Sequence, residues 1–154
     1  MGNEQSKSHD STLLFDLVRM DSDWARARFD GARVARLATA DDFGRPHLVP
    51  LVFAVDGAVI HSAVDAKPKS STALRRLANI AQNPQVSLLV DYYADDWTQL
   101  WWARADGRAR VHGDGTAAIA ALARRYRQYR DAPPDGPFIA ITVERWSGWS
   151  AADS

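Results

Sequence analysis

Cysteine is absent from this chain of 154 residues. Its absence excludes disulfide bonds, thiolate nucleophiles and metal sites with cysteine ligands. A chain without cysteine suits a reducing compartment, so we expect a cytoplasmic protein.

Net charge is also absent, because 19 basic side chains balance 19 acidic ones. No overall field therefore draws the protein to nucleic acid or to an anionic membrane, and any anion site must be local. No apolar run is long enough to cross a bilayer, and the N-terminus lacks the layout of a secretory signal. A glycine-rich dinucleotide fingerprint and a Walker sequence are missing as well, which argues against a Rossmann or P-loop domain.

The pattern of the chain favours short strands with helices inserted between them. The strand-like segments are 33–39, 46–55, 58–62, 86–92, 99–105, 108–112 and 138–143. Asp-Gly pairs at 56–57 and 106–107 predict hairpin turns, so the first three strands should form an antiparallel meander. Apolar spacing and end signals predict helices over 22–29, 71–81 and 116–130. The length fits one domain, and the pattern predicts a mainly β fold, a small β-barrel rather than a parallel α/β sheet.

The beginning of the chain differs from the rest. Residues 1–10 are polar and are predicted to be disordered, and Thr12 to Met20 is predicted to add a short helix. We therefore divide the chain into an N-terminal extension, residues 1–19, and a single domain, residues 20–154.

The middle strand is unusual because residues 47–55 are almost all apolar, which predicts cover on both faces. Pro50 cannot donate to a strand ladder, so it should lie at an edge or a bulge. The backbone groups of Val49, Leu51 and Val52 would then be free to bind the polar edge of a planar heterocycle. A barrel-corner bulge without a ligand is the alternative.

A short window after the next strand concentrates groups that bind phosphate. It contains Lys67, Lys69 and Ser70, directly before the predicted start of a helix, and two of the three lysines in the chain. Ammonium groups, hydroxyls and the free N–H groups of a helix start together favour a phosphorylated ligand. A solvated loop is the alternative.

Two histidines, His47 and His61, are predicted on adjacent strands. No third ligand stands at a recognisable metal spacing, so we expect no metal and instead a hydrogen bond from each to a bound ring or phosphate. Farther along, Trp97, Trp101 and their aromatic neighbours 92–93 and 102 could line a pocket for a flat ligand, form a subunit interface or pack in the core.

The order of these features resembles a known family. The segments that carry the likeness are 33–39, 44–53, 60–62, 67–69, 79–84 and 86–91. Over about residues 21–150 the chain resembles the split β-barrel flavin and deazaflavin oxidoreductases related to pyridoxamine 5′-phosphate oxidase. The aromatic segments 91–93, 96–97 and 100–102, with 146–149, look most like the coenzyme F420-dependent branch.

This resemblance implies a homodimer with a cofactor in each of two grooves between subunits. By that likeness, the ring of F420 would lie along the strand made of His47, Leu48, Val49, Pro50, Leu51 and Val52. Ser62, Lys67, Lys69 and Ser70 would bind its phosphate, or Thr72 and Arg76 would if the longer helix displaces these contacts. Trp97 and Trp101 would close the groove.

The implied reaction is direct hydride transfer between the deazaflavin and an unsaturated or conjugated small molecule, which needs no catalytic side chain. An FMN-dependent oxidase or reductase on the same fold is one alternative. A non-catalytic module that binds flavin or haem is another.

Overall fold

The structure is a computed structural model that describes residues 17–64 and 71–151. Eight strands form one antiparallel sheet, which confirms the mainly β prediction. The strands are β1 (Val18–Met20), β2 (Ala35–Ala40), β3 (Pro46–Leu51), β4 (Ala54–Asp56), β5 (Val59–Ala63), β6 (Gln85–Tyr92), β7 (Trp101–His112) and β8 (Phe138–Ser150). The helices are α1 (Ser22–Gly31), α2 (Ser71–Gln82), α3 (Thr116–Arg125) and α4 (Arg127–Asp131), with a 3₁₀ turn at Trp97–Gln99.

The sheet runs in the order β3-β2-β6-β7-β8-β5-β4, and β1 pairs with β8 beside this path. Strands β3 and β4 lie at opposite ends of the path, although only residues 52–53 separate them in the chain. The sheet must therefore curl until its two ends approach each other. The two neighbouring pairings of the predicted meander are confirmed, because β2 pairs with β3 and β4 pairs with β5 across the Asp56-Gly57 turn. The prediction is wrong in its middle strand, which divides into β3 and β4 at opposite ends of the path, and β5 also pairs with β8.

One buried hydroxyl explains why the long apolar segment divides into β3 and β4. The hydroxyl of Tyr126 accepts a hydrogen bond from the Phe53 N–H at 3.0 Å. The carbonyl oxygens of Arg33 and Phe53 each lie 2.8 Å from the same hydroxyl. The backbone at Phe53 therefore bonds to the side chain of Tyr126, which lies between α3 and α4, rather than to a neighbouring strand, and the single strand predicted over 46–55 ends at Leu51.

The second Asp-Gly pair lies inside a strand rather than at a turn, so the predicted hairpin at 106–107 is wrong. Strand β7 is continuous, and its pairing with β8 shifts between Asp106 and Gly107, leaving Glu144 as the extra residue. A Cβ added at Gly107 would lie 2.3 Å from the carbonyl oxygen of Thr142. Glycine is needed here for close backbone approach at a β-bulge, and not for a turn.

The helices agree with the sequence more closely, with two differences. The carboxylate of Asp21 accepts from the Trp24 N–H at 2.8 Å, so α1 begins where the capping signal predicts. The helix predicted over 116–130 breaks at Tyr126, which gives α3 and α4. Residues 18–20, predicted as part of a short helix, form β1 instead and pair with β8.

The core fills the inside of the curled sheet and includes Phe29, Leu37, Phe53, Ile60 and Leu88. A second apolar cluster joins α3 to the outer side of β4 through its contacts with Ala54. In the part of the chain that the structure describes, no helix is long and apolar enough to span a membrane.

Candidate functional site

A groove lies on the outer face of the four strands β3, β2, β6 and β7. Paired residues on antiparallel strands share a face, and the register places Leu48 opposite Ala38 and Ala38 opposite Ser87. The cavity has a volume of about 670 Å³, within the range of small-molecule sites. The four strands are separated by three spacings of about 4.8 Å, so the groove is roughly 14 Å wide across the strands. It therefore has room for a flat ligand that crosses several strands.

The groove has an apolar floor between two arginines. Arg36 and Arg104 lie on either side of Leu89 in the strand register. The Arg104 Nε donates to Asp106 at 3.0 Å, and its guanidinium lies 6.0 Å from the centre of the Trp102 ring. These contacts hold Arg104 in place. Leu48, at the β3 side of the groove, is 67% exposed and offers an apolar surface to a ligand. An apolar ring with an anionic substituent is complementary to such a surface.

Strand β3 forms one wall of the groove, and its burial alternates. Leu48 and Pro50 are exposed, while Val49 and Leu51 lie in the core. The prediction of cover on both faces is therefore wrong, because the outer face of this strand borders the groove. Pro50 does lie on an edge strand, as its missing N–H requires, since β3 has one partner strand in the described chain.

On the opposite face of β3, which carries the core residues Val49 and Leu51 and looks toward α2, two buried nitrogens have no hydrogen-bond partner among the described residues. They are Nδ1 of His47 and Nε of Arg76. His47 pairs with Thr39, whose hydroxyl accepts from the Asn79 side chain at 3.1 Å. Arg76 lies one helical turn before Asn79, on the same side of α2. Burial lowers the pKa of Arg76 from its ordinary value, since desolvation disfavours its charge.

The other predicted histidine lies elsewhere. His61 faces Ala140 of β8 and is 6% exposed, on the side of the sheet that α3 covers. Burial lowers its pKa, although the Asp56 carboxylate opposes this effect. The prediction that His47 and His61 occupy adjacent strands is wrong, because β5 pairs with β8 and not with β3. No group of three potential metal ligands occurs in residues 17–64 and 71–151.

The remaining predicted positions are also separated. Ser62 is 2% exposed and donates from its hydroxyl to the Val52 carbonyl at 2.8 Å, so it holds the β3–β4 connection. Val52 packs against the apolar cluster under α3. Lys67, Lys69 and Ser70 lie outside the described residues.

The two predicted tryptophans differ in exposure. Trp97 is 42% exposed on the 3₁₀ turn after β6. Trp101 packs edge-on against Trp24, with ring centres 6.1 Å apart. It lines a smaller cavity beside the groove rather than the groove itself. Of the aromatic cluster recognised in the sequence, Tyr93 and Trp102 line the groove.

Sequence reasoning missed the charged side chains of the groove, namely Arg36, Asp91 and Arg104. Each lies on a strand that was predicted, at a position two residues from another groove residue. Alternation along a strand shows that such residues share a face, but only the pairing of β2, β6 and β7 shows that they meet.

Comparison with known proteins gives a consistent result. The family model described as pyridoxamine 5′-phosphate oxidase matches residues 22–150. No curated protein matches the chain. Among solved structures, a FAD-binding protein from Mesorhizobium loti is 23% identical with a TM-score of 0.69, covering 89% of this chain and 98% of the other.

Two further structures have the same fold at lower identity. The FAD binding protein from Mycobacterium smegmatis is 14% identical with a TM-score of 0.57, covering 87% of this chain and 97% of the other. The heme storage protein HutZ from Vibrio cholerae is 20% identical with a TM-score of 0.61, covering 82% and 92%. The split-barrel architecture expected from the sequence is thereby confirmed.

Proposed function

Because this chain belongs to the pyridoxamine 5′-phosphate oxidase family, we propose that it is an F420-dependent oxidoreductase acting on an unsaturated or conjugated small molecule. The observation that carries the proposal is the groove beside edge strand β3, which is wide, mostly apolar at its floor and flanked by Arg36 and Arg104, of which Arg104 is held by Asp106. The preference for F420 over FMN rests on the resemblance of the aromatic segments around Trp97, Trp102 and Trp149 to the F420-dependent branch, and not on the chemistry of a particular residue.

The phosphate of the cofactor would bind at the N-terminal half of α2. Arg76 and His47 each bring a buried nitrogen without a partner among the described residues. Six buried polar atoms lack a partner among the described residues, and two of them lie beside α2. Buried polar atoms normally have partners, so this pair supports a ligand there, which would reach them from the groove around edge strand β3. Lys67, Lys69 and Ser70 precede α2 directly in the chain and are proposed to add to the same site.

The ring of the cofactor would lie along β3, with Leu48 and Pro50 on its exposed face as contacts. When bound, the deazaflavin supplies the hydride chemistry. The protein orients the ring against the substrate, and the apolar floor around Leu89 excludes water from it. No nucleophilic side chain is required by this chemistry.

A second copy of the chain would complete the site. Leu48, Tyr93 and Trp97 are 67%, 62% and 42% exposed on or beside the groove. Large apolar side chains clustered on one face are typical of an interface. We therefore propose a homodimer, in which two such faces enclose the cofactors, in a cytoplasmic setting that suits the absence of cysteine.

The proposal is tested by titrating the apo-protein separately with F420, FMN and haemin, while tryptophan fluorescence is followed. We expect micromolar affinity for F420, weaker binding of FMN, and sedimentation as a dimer. Tighter binding of FMN would assign the protein to the flavin enzymes, and binding of haemin alone would make it a haem-binding module. Binding of none of the three would refute the proposed function.

A further inference from the structure

A second, smaller cavity lies beside the groove, where the end of α1 meets β6 and β7. Its volume is about 280 Å³, and its lining includes Arg28, Arg33, Trp101 and Asp91. Asp91 also lines the groove. One carboxylate therefore stands between the two cavities, and a ligand in the groove can extend toward the smaller one.

Positive charge exceeds negative charge at this boundary. Arg28 and Arg33 line the smaller cavity and Arg36 lines the groove, so three arginines share these walls with the single carboxylate of Asp91. The Nη1 of Arg36 lies 3.7 Å from the Oδ1 of Asp91. The two side chains therefore form an ion pair, but the distance is too long for a hydrogen bond. Within residues 17–64 and 71–151, the side chains of Arg33 and Arg36 donate no hydrogen bond. The donors of Arg33 therefore have no partner among the described residues, and Arg36 is engaged there only in the long ion pair with Asp91.

One of the three cations contacts two aromatic rings. The guanidinium of Arg28 lies 4.8 Å from the ring centre of Trp24 and 5.0 Å from that of Trp101, and these two rings meet nearly at right angles. Cation–π contacts with both indoles limit the orientations of the guanidinium, so less freedom is lost when it binds an anion. Planar guanidinium groups match a carboxylate with two parallel hydrogen bonds.

We propose that Arg28, Arg33 and Arg36, here called the arginine cluster, bind the carboxylate of a flat conjugated substrate. The apolar part of that substrate lies in the groove against Trp102 and Tyr93. This inference rests on the proposed function, since the cofactor ring would occupy the β3 end of the groove and leave this end for the substrate. The substrate class is therefore a conjugated or aromatic carboxylic acid.

The test compares two ligands of the same shape, 2-naphthoate and uncharged 2-naphthamide. Both are titrated by calorimetry into the full chain at pH 7.5, with and without saturating oxidised F420. We expect naphthoate to bind at least about tenfold more tightly than naphthamide, because a charge-assisted hydrogen bond contributes that much affinity. Equal affinities would overturn the proposal.

Three variants test which side chains cause the preference for the carboxylate over the amide. Arg33→Gln and Arg36→Gln should each reduce the preference for the carboxylate to about threefold or less, since each removes one charged donor. Asp91→Asn should raise naphthoate affinity because it removes the competing carboxylate. Arg127→Gln, at an exposed position on α4, is the matched control and should leave both affinities unchanged. Since the Arg33 side chain is exposed and makes no described contact, its variant tests binding without a folding defect.

The outcomes separate this inference from the proposed function. If neither F420 nor FMN binds but naphthoate is preferred and the preference falls in Arg33→Gln, the proposed function fails and the arginine cluster remains an anion site. If a cofactor binds and no preference is seen, the cluster proposal fails alone. If Arg33→Gln and Arg36→Gln weaken cofactor binding and leave naphthoate unaffected, the cluster serves an acidic group of the cofactor, which also overturns the proposal.

Discussion

Replacing Arg76 with glutamine should separate a binding role from a structural one. The Nε of Arg76 is buried without a partner among the described residues, and burial already lowers its pKa. Burial of this Nε is unfavourable in the apo-protein, because no described residue offsets its desolvation with a hydrogen bond. A bound phosphate would supply the missing acceptor.

The magnitude follows from the loss of one charge-assisted hydrogen bond, which contributes about 1.5–3 kcal/mol. Affinity for F420 should therefore fall by about tenfold to 150-fold in Arg76→Gln. The stability of the apo-protein should stay the same or rise, since the variant removes a buried donor that has no partner among the described residues. A residue with a purely structural role would show the opposite pattern.

The assay has two readouts, F420 affinity from fluorescence titration and the free energy of unfolding from urea denaturation. Arg75→Gln is the matched control, because Arg75 is the preceding residue on α2 but its side chain is exposed. Unchanged F420 affinity in Arg76→Gln, or equal losses in both variants, would refute the assignment of Arg76 to the phosphate. A loss of apo stability would show that Arg76 is structural.

Three further predictions concern the scaffold. Tyr126→Phe removes a buried hydroxyl that bridges two backbone segments. The free energy of unfolding measured by urea denaturation should therefore fall by about 1–3 kcal/mol, and a fall of less than about 0.5 kcal/mol would contradict the bridge. Gly107→Ala places a methyl group 2.3 Å from the Thr142 carbonyl oxygen and should lower Tm by several degrees or prevent folding, whereas Gly113→Ala, with nothing within 4 Å, should not. His61 has a pKa below its ordinary value, so the unfolded chain binds more protons as pH falls below about 6.5. Stability should therefore decline from pH 7 to pH 5, and His61→Gln should show a shallower decline; an equal slope in the two proteins would rule out this contribution.

Local chemistry explains which elements the sequence predicts well. The Asp21 cap places the start of α1, and the apolar spacing from Leu74 to Ile80 places α2. These signals act between residues that are neighbours along the chain, so they hold before any tertiary contact forms. The edge position of Pro50 belongs with them, because the missing N–H is a property of the residue itself.

Errors arose where distant residues decide the local structure. Asp106 and Gly107 have the composition of a turn, yet the carbonyl of Thr142 on β8 makes the glycine a bulge position. The apolar segment 46–55 has the composition of one strand, yet Tyr126 takes the backbone N–H of Phe53. In both cases the competing partner lies far away in the chain and cannot be identified from the segment alone.

By itself, the sequence determined the mainly β class, the positions of α1 and α2, and which polar side chains are candidates for a site, because these depend on composition and on near neighbours. The tertiary structure decided which of those groups meet. It placed His47 beside α2 and His61 beneath α3, and it brought Arg36, Asp91 and Arg104 into one groove. The reason is strand order, since pairing across the sheet sets which alternating side chains share a face.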